Sequence, residues 1–193
     1  GPYPLAGSFT AMALSQVAQV SNRTTGFEPA LAAARRILAR PTAVPNAVFA
    51  ARVSRGLRSL RDRRASDPDD DLELVDRFAT VAPIQWWMVI GRMLGVLAHA
   101  AGQPRRAIAR FDAALVTCRR SGYRPELAWT CFDYACALLD GGGREDRMKA
   151  ASLLDEGAQI AKSLGMHPLA KRIANFRQRY RVRLARKPAG LTT

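Results

Sequence analysis

The stretch that most constrains how this chain can fold is LGVLAHAAGQPRRAIARFDAA, Leu94 to Ala114. Leu94-Gly95 sits in one helical pattern, and Gly102-Gln103-Pro104 punctuates it. Ala107, Phe111 and Ala114 then share one face of a second helix, by the three-and-four spacing that aligns helical side chains. Two helices joined by so short a turn make a hairpin. Where they cross, axes roughly 8–10 Å apart leave room for small residues with one bulky side chain wedged beside them. Gly95, Ala107 and Ala114 are the small residues, and Phe111 is the wedge.

The arrangement resembles the tetratricopeptide repeat (TPR), which has Leu-Gly in its first helix and Ala, three residues, then Phe in its second. Leu94, Gly95, Ala107 and Phe111 match in identity and spacing, and Ala114 continues the match. The aromatic residues of the repeat's first helix are replaced here by Gly91 and Ala98, and its closing proline by Arg119. A stretched copy follows. Tyr134-Ala135 stands where Leu94-Gly95 stood, and Ala150, Leu154 and Gly157 where Ala107, Phe111 and Ala114 stood, with three extra loop residues. The resemblance implies stacked antiparallel hairpins in a right-handed solenoid.

Composition agrees with a helical class. Of 193 residues, 48% are hydrophobic but only 7% aromatic, a texture suited to small-residue helical packing, and no run alternates apolar and polar as a half-buried strand does. The expectation is an all-α chain forming a single domain over residues 3–187. Its best repeats fall at 85–119 and 126–165, a capping helix at 167–187 and a linker at 188–193. Gly1-Pro2 has the form of a tag-cleavage remnant, so the chain is expected to be a piece of something larger.

Periodicity and punctuation place about nine helices. The first three run from Pro4 to Val20, from Phe27 to Arg40 with Pro41 as its stop, and from Pro45 through Leu60. A charged connector follows, in which Asp67, Asp69, Asp70 and Asp71 invite a calcium site. They lack the glycine turn and distal Glu of an EF-hand, and acids at a helix start are favoured by its dipole, so they read as a cap. Helices over Leu72–Ala82, Gln85–Ala101, Gln103–Arg119, Glu126–Leu139 and Arg144–Leu164 come next, with Gly165 as a C-terminal cap. The last helix carries a stripe of Leu169, Ile173, Phe176, Tyr180 and Leu184, suited to covering the end of a stack.

Two C-terminal phrases extend the resemblance. Ala150 to Met166, AASLLDEGAQIAKSLGM, is similar to the last repeat of the helical regions in large bacterial regulators with a nucleotide-binding ATPase core. Pro188-Ala189-Gly190-Leu191-Thr192-Thr193 is similar to the linker and first residues of a LuxR-type helix-turn-helix domain. What this implies is a TPR-like segment between an ATPase and a DNA-binding domain, acting in transcription regulation through protein or peptide partners, neighbouring domains of the same chain, or a small-molecule ligand. DNA contact would come through the absent downstream domain.

No catalytic constellation is legible. His99 and His167 are the only histidines, and neither has the Ser or Cys context of an active site. Gly141-Gly142-Gly143-Arg144 lacks the Gly-Lys-Ser/Thr of a phosphate-gripping loop and reads as a turn. Cys118, Cys131 and Cys136 show no zinc-site spacing and read as buried thiols of a reducing cytoplasm. The chain is therefore expected to be no enzyme, to hold neither cofactor nor metal, and to be cytoplasmic, with no apolar run of ~20 residues to span a membrane.

Binding residues follow from the repeat's geometry, whose first helices line the concave surface. Transferred through Leu94-Gly95 and Tyr134-Ala135, the concave positions are Val89, Arg92, Val96 and His99 on one helix, and Trp129, Phe132, Cys136 and Leu139 on the next. An arginine beside Trp and Phe suits a carboxylate or a planar ligand. The competing possibility is that the aromatics are packing residues. The 30 Lys and Arg against 16 Asp and Glu, a formal charge of +14, open a second function: nonspecific nucleic-acid binding through Arg177, Arg179, Arg181, Arg183, Arg186 and Lys187 as phosphate contacts, joined by the Arg52, Arg55, Arg58 and Arg61 face. Against it, the arginines are dispersed over nearly every helix, as on a solvated surface.

Overall fold

The computed structural model describes residues 10–15, 17, 27–62, 84–85, 88–141 and 143–186. Among the described residues the secondary structure is helical apart from one very short ladder. Residues 10–15 and 17 are helical. They are followed by α1 (Phe27–Leu38), α2 (Pro45–Asp62), α3 (Ile90–Ala100), α4 (Pro104–Ser121), α5 (Arg124–Gly141), α6 (Arg144–Ser163) and α7 (His167–Arg186). The helix expected over Leu72–Ala82 and the acidic run at Asp67–Asp71 lie outside the described residues.

One expectation needs correction. Helix was expected from Gln85, but Ile84–Gln85 (β1) pairs antiparallel with Met88–Val89 (β2), and α3 starts at Ile90. Val89 is extended, with φ −80° and ψ 118°, and its N–H is bonded to a carboxylate on another helix rather than to a carbonyl four residues back.

The turns that fold the helices back are built alike. After α3, Gly102 takes φ 71°, open to glycine at little cost, and the Gln103 N–H reaches back to the Ala98 carbonyl. Pro104 then opens α4, where its missing N–H leaves no bond unmade. Gly165 repeats the device after α6, with Met166 N–H donating to the Ala161 carbonyl.

Successive helices pack against one another from α1 to α7 wherever both are described, and α3 also touches α5. The main core runs from Phe49 and Val53 of α2 to Leu169 and Ile173 of α7, while Ala34, Ile37, Ala47 and Ala51 form a smaller cluster between α1 and α2. α5 carries the longest unbroken buried run among the described residues: every residue from Glu126 to Ala135 is buried. A helix with no polar stripe has to be covered on all sides, and α3, α4, α6 and α7 supply the cover.

Small residues set the helix crossings. A Cβ on Gly95 would lie 2.7 Å from the Phe111 ring, so the wedge occupies the space that the missing side chain leaves. A Cβ on Gly91 would lie 3.4 Å from the Ala114 Cβ, and one on Gly157 would lie 3.2 Å from the Cys131 Cβ. The crossing glycines thus stand on the first helix in α3/α4, as Gly91 and Gly95, and on the second in α5/α6, as Gly157. Phe111 also stacks on Tyr134, with centroids 5.4 Å apart, and so joins the two hairpins.

Gly95→Ala and Gly157→Ala are both expected to destabilise, by about 1–3 kcal/mol for overpacking. Gly95 should cost more, since the Phe111 ring is fully buried and cannot move aside. Urea unfolding should show the midpoint falling at unchanged slope; an unchanged midpoint for Gly95→Ala would refute the close crossing.

Candidate functional site

The concave positions read from sequence come together in space, but five of the six principal ones are inside the protein. Val89 (1% exposed), Arg92 (3%), Val96 (0%), Trp129 (7%) and Phe132 (4%) are buried, and only His99 is half-buried. The open grip for a ligand carboxylate is therefore corrected: the carboxylates that Arg92 holds belong to the chain itself. Its Nε donates to Glu126 Oε1 at 2.7 Å and its Nη1 to Asp133 Oδ2 at 2.6 Å.

The geometry follows from helix periodicity. Glu126 and Asp133 are seven residues apart on α5, on the same face two turns from one another. A forked guanidinium placed opposite can meet both at once. Glu126 Oε1 also accepts the Val89 N–H at 3.0 Å, so a residue of α5 caps the start of α3, which has no side-chain cap and no acid in its first turn. Burial opposes the charge on Arg92, but the two carboxylates outweigh it and hold the guanidinium above its ordinary pKa.

Sequence reasoning missed Glu126 and Asp133. The available signal was their setting: Arg92 stands in IGRMLGVLAHA and Asp133 in TCFDYACALL, charges inside apolar helical runs with no polar face to receive them. Charged groups so placed are seldom fully buried unless paired.

Trp129 lies between two guanidiniums, Arg92 at 5.9 Å and Arg172 of α7 at 5.8 Å from its ring centroid. Arg172 also stands 5.3 Å from the Phe132 ring, and Phe132 meets Phe176 edge-on at 5.7 Å. Phe176 stacks with Tyr180 at 6.4 Å, and Arg172, Phe176 and Tyr180 are half-buried. At the other end of α5, His99 Nε2 lies 3.0 Å from Asp140 Oδ2, whose side chain is largely exposed. The accessible part of this region is thus the α5–α7 edge, with Leu139 and Cys136 half-buried beside it.

Of the phosphate-contact candidates, Arg177 donates to Asp155 of α6 at 2.6 Å, and Arg179 is exposed and donates to the Asn175 carbonyl. The side chains of Arg181, Arg183 and Arg186, and Lys187 as a whole, lie outside the described residues. On α2, Arg58 pairs with Glu28 of α1 at 3.5 Å.

The three cysteines carry little nucleophilic character. Burial pushes the thiol pKa up at Cys118, Cys131 and Cys136, most firmly at Cys136, so each is held neutral in the fold. Among the described residues no three His, Cys, Asp or Glu side chains gather as a metal site, and no helix is long and apolar enough to cross a membrane. No protein-family model, curated protein or solved structure matches the chain.

Arg92→Met should cost about 3–5 kcal/mol, because it strands two buried carboxylates. Replacing all three charges together, Arg92→Met with Glu126→Leu and Asp133→Leu, should recover most of that loss. A thermal melt that ranks the triple variant below the single one would contradict the pairing.

The thiols give a second check. Native protein at neutral pH should react with an alkylating reagent far more slowly than unfolded protein, in which all three cysteines react. Because the thiols ionise near 9.0 when unfolded and higher when folded, the unfolded chain loses protons first. Stability is therefore fully retained below about pH 9 and declines above it. Rapid native alkylation would overturn the assignment.

Proposed function

We propose that this chain is a non-catalytic regulatory interaction module, a TPR-like right-handed solenoid spanning residues 3–187, belonging to a bacterial LuxR-type transcriptional regulator. In this reading it is cytoplasmic, couples signals from partners or neighbouring domains to a DNA-binding domain beyond residues 188–193, and takes part in signal transduction through protein–protein contacts. The observation that carries it is the pair of equivalent crossings, Gly91 on Ala114 and Cys131 on Gly157, which fall at matching positions of two successive hairpins. Sequential packing of the helices and the α3–α5 contact support the same reading, since first helices of neighbouring repeats adjoin.

With Arg92, Trp129 and Phe132 enclosed, the partner-facing residues in this reading shift to the half-buried and exposed edge: His99, Asp140, Arg172, Phe176, Arg179 and Tyr180. The second function, nonspecific nucleic-acid binding through the basic last helix, draws on a net charge of +14 and on α7, which contains no acid. Titration with labelled duplex DNA separates the two. A phosphate-binding protein loses about 10³–10⁵ in affinity between about 50 and 200 mM salt when it makes six to ten contacts. The interaction-module reading expects weak binding at both salt concentrations; tight binding that falls steeply with salt would move the assignment to nucleic acid.

A further inference from the structure

Neighbouring helices of this chain are joined by polar side-chain contacts laid out as rungs. Between α3 and α5, Arg92 meets Asp133 and His99 meets Asp140, and both members advance by seven residues from one contact to the next. Between α4 and α6, Asp112 meets Lys149 and Arg119 meets Glu156, again seven residues on in each helix. Seven residues are nearly two turns, so one face of each helix stays towards the other and the rungs stand about 10 Å apart. α7 carries the cationic half of such a ladder. Arg172 and Arg179 are seven residues apart on it, two repeat lengths on from Arg92 and His99. Burial raises the Cys136 thiol pKa, and Arg172 and Arg179 both act to lower it, which places both guanidiniums on the α5 side of α7. Arg172 lies over the Trp129 and Phe132 rings of α5 at 5.8 and 5.3 Å. Between the two arginines stands Phe176, half-buried, edge-on to Phe132 and stacked with Tyr180.

We infer that this edge docks an acidic amphipathic helix of a partner protein, with two carboxylates seven residues apart facing Arg172 and Arg179 and an apolar residue between them on Phe176. Such docking deepens the interaction-module reading and rests on it. Charge selects an anionic occupant: α7 contains no acid, and Asp140, the acid of α5 at this edge, is already met by His99. Spacing selects a helix. Carboxylates seven residues apart on a helix are about 10 Å apart, the same separation as the two arginine positions on α7. An apolar residue four positions after the first acid shares their face, as in other helices that dock by an amphipathic face. The ring contacts disfavour a nucleic-acid strand. Arg172 covers Trp129 and Phe132, and Phe176 and Tyr180 face one another, whereas bases need open ring faces to stack on.

Fluorescence anisotropy with the full chain tests this. The probe is a labelled alanine-rich helical peptide with two Glu seven residues apart and a Leu four positions after the first. The control peptide has the same composition, but its second Glu follows the first by five positions, which turns it about 140° away. The probe is expected to bind about tenfold more tightly than the control, and Arg172→Gln with Arg179→Gln to abolish that difference. Arg105→Gln with Arg120→Gln removes as much charge from exposed positions of α4 and should leave the difference in place. Equal binding of the two peptides, a difference that survives the loss of Arg172 and Arg179, or one lost just as fully in the α4 variant overturns the docking helix. Should the α7 double variant fail to fold, Arg179→Gln alone, at an exposed position, is expected to reduce the difference to about threefold, and no reduction overturns the docking helix equally. Each of these outcomes leaves the interaction-module reading standing; that reading fails separately, on tight and steeply salt-dependent binding of duplex DNA.

Discussion

A guanidinium bonded to two carboxylates inside an apolar body is the constraint on which the rest of this structure depends. Taking such ions out of water costs several kcal/mol each, so Arg92, Glu126 and Asp133 persist only because each meets a partner. Glu126 is placed to advantage twice over. It stands in the first turn of α5 and also caps the first turn of α3, so the positive ends of two helix dipoles face one carboxylate. Apolar faces of Ala and Leu can slide past one another at small cost, whereas a fork that must meet acids seven residues apart cannot. The trio therefore fixes the register of α3 on α5, and Trp129, between Arg92 and Arg172, carries that register on to α7.

Hairpin crossings do the complementary work of setting distance. In α3/α4 the volume is on the second helix, as Phe111, and the vacancy is on the first, as Gly91 and Gly95. In α5/α6 the vacancy moves to Gly157, and the residues at the matching positions, Cys131, Ala135 and Leu154, are intermediate in size and buried. Moving the glycine leaves the crossing close because only the combined volume matters to packing. Tyr134 then links the pairs: its ring stacks on Phe111, and its hydroxyl accepts from Lys149, which also reaches Asp112. Residues of α4, α5 and α6 are thus tied through one aromatic side chain.

Most of the helical architecture was legible because it is written in local terms. Gly102-Gln103-Pro104, Gly122 and Gly165 mark helix ends through φ and missing donors, quantities that a residue carries with it. The start of α3 was not legible, because its cap is Glu126, a residue distant in sequence. The same cause explains the site. The resemblance named Arg92, Trp129 and Phe132 as concave positions, and Arg92 and Phe132 do each lie against the Trp129 ring, yet whether such a cluster is an open groove or a closed core depends on what covers it. Here the answer lies with Glu126, Asp133 and Arg172, none of which is near Arg92 in sequence. Charges stranded in apolar helical runs were the one local sign that the cluster is internal.

The surplus of basic residues has a different consequence from its usual reading as stabilising or phosphate-seeking. Where acids are available at helix junctions they are used: Glu156 takes Arg119, Asp112 takes Lys149 and Asp155 takes Arg177. Each of these exposed pairs is worth about 1 kcal/mol or less and is weakened by salt, so they adjust the stack rather than hold it. With 30 basic residues against 16 acidic ones, pairing cannot neutralise the surface, and the remainder acts as a long-range field. That field favours any acidic partner equally and speeds encounter more than it selects. At the α5–α7 edge it has an aromatic setting, where Arg172 lies over the Phe132 ring, Phe132 meets Phe176 edge-on and Phe176 stacks with Tyr180, so that charge and half-buried aromatic surface adjoin.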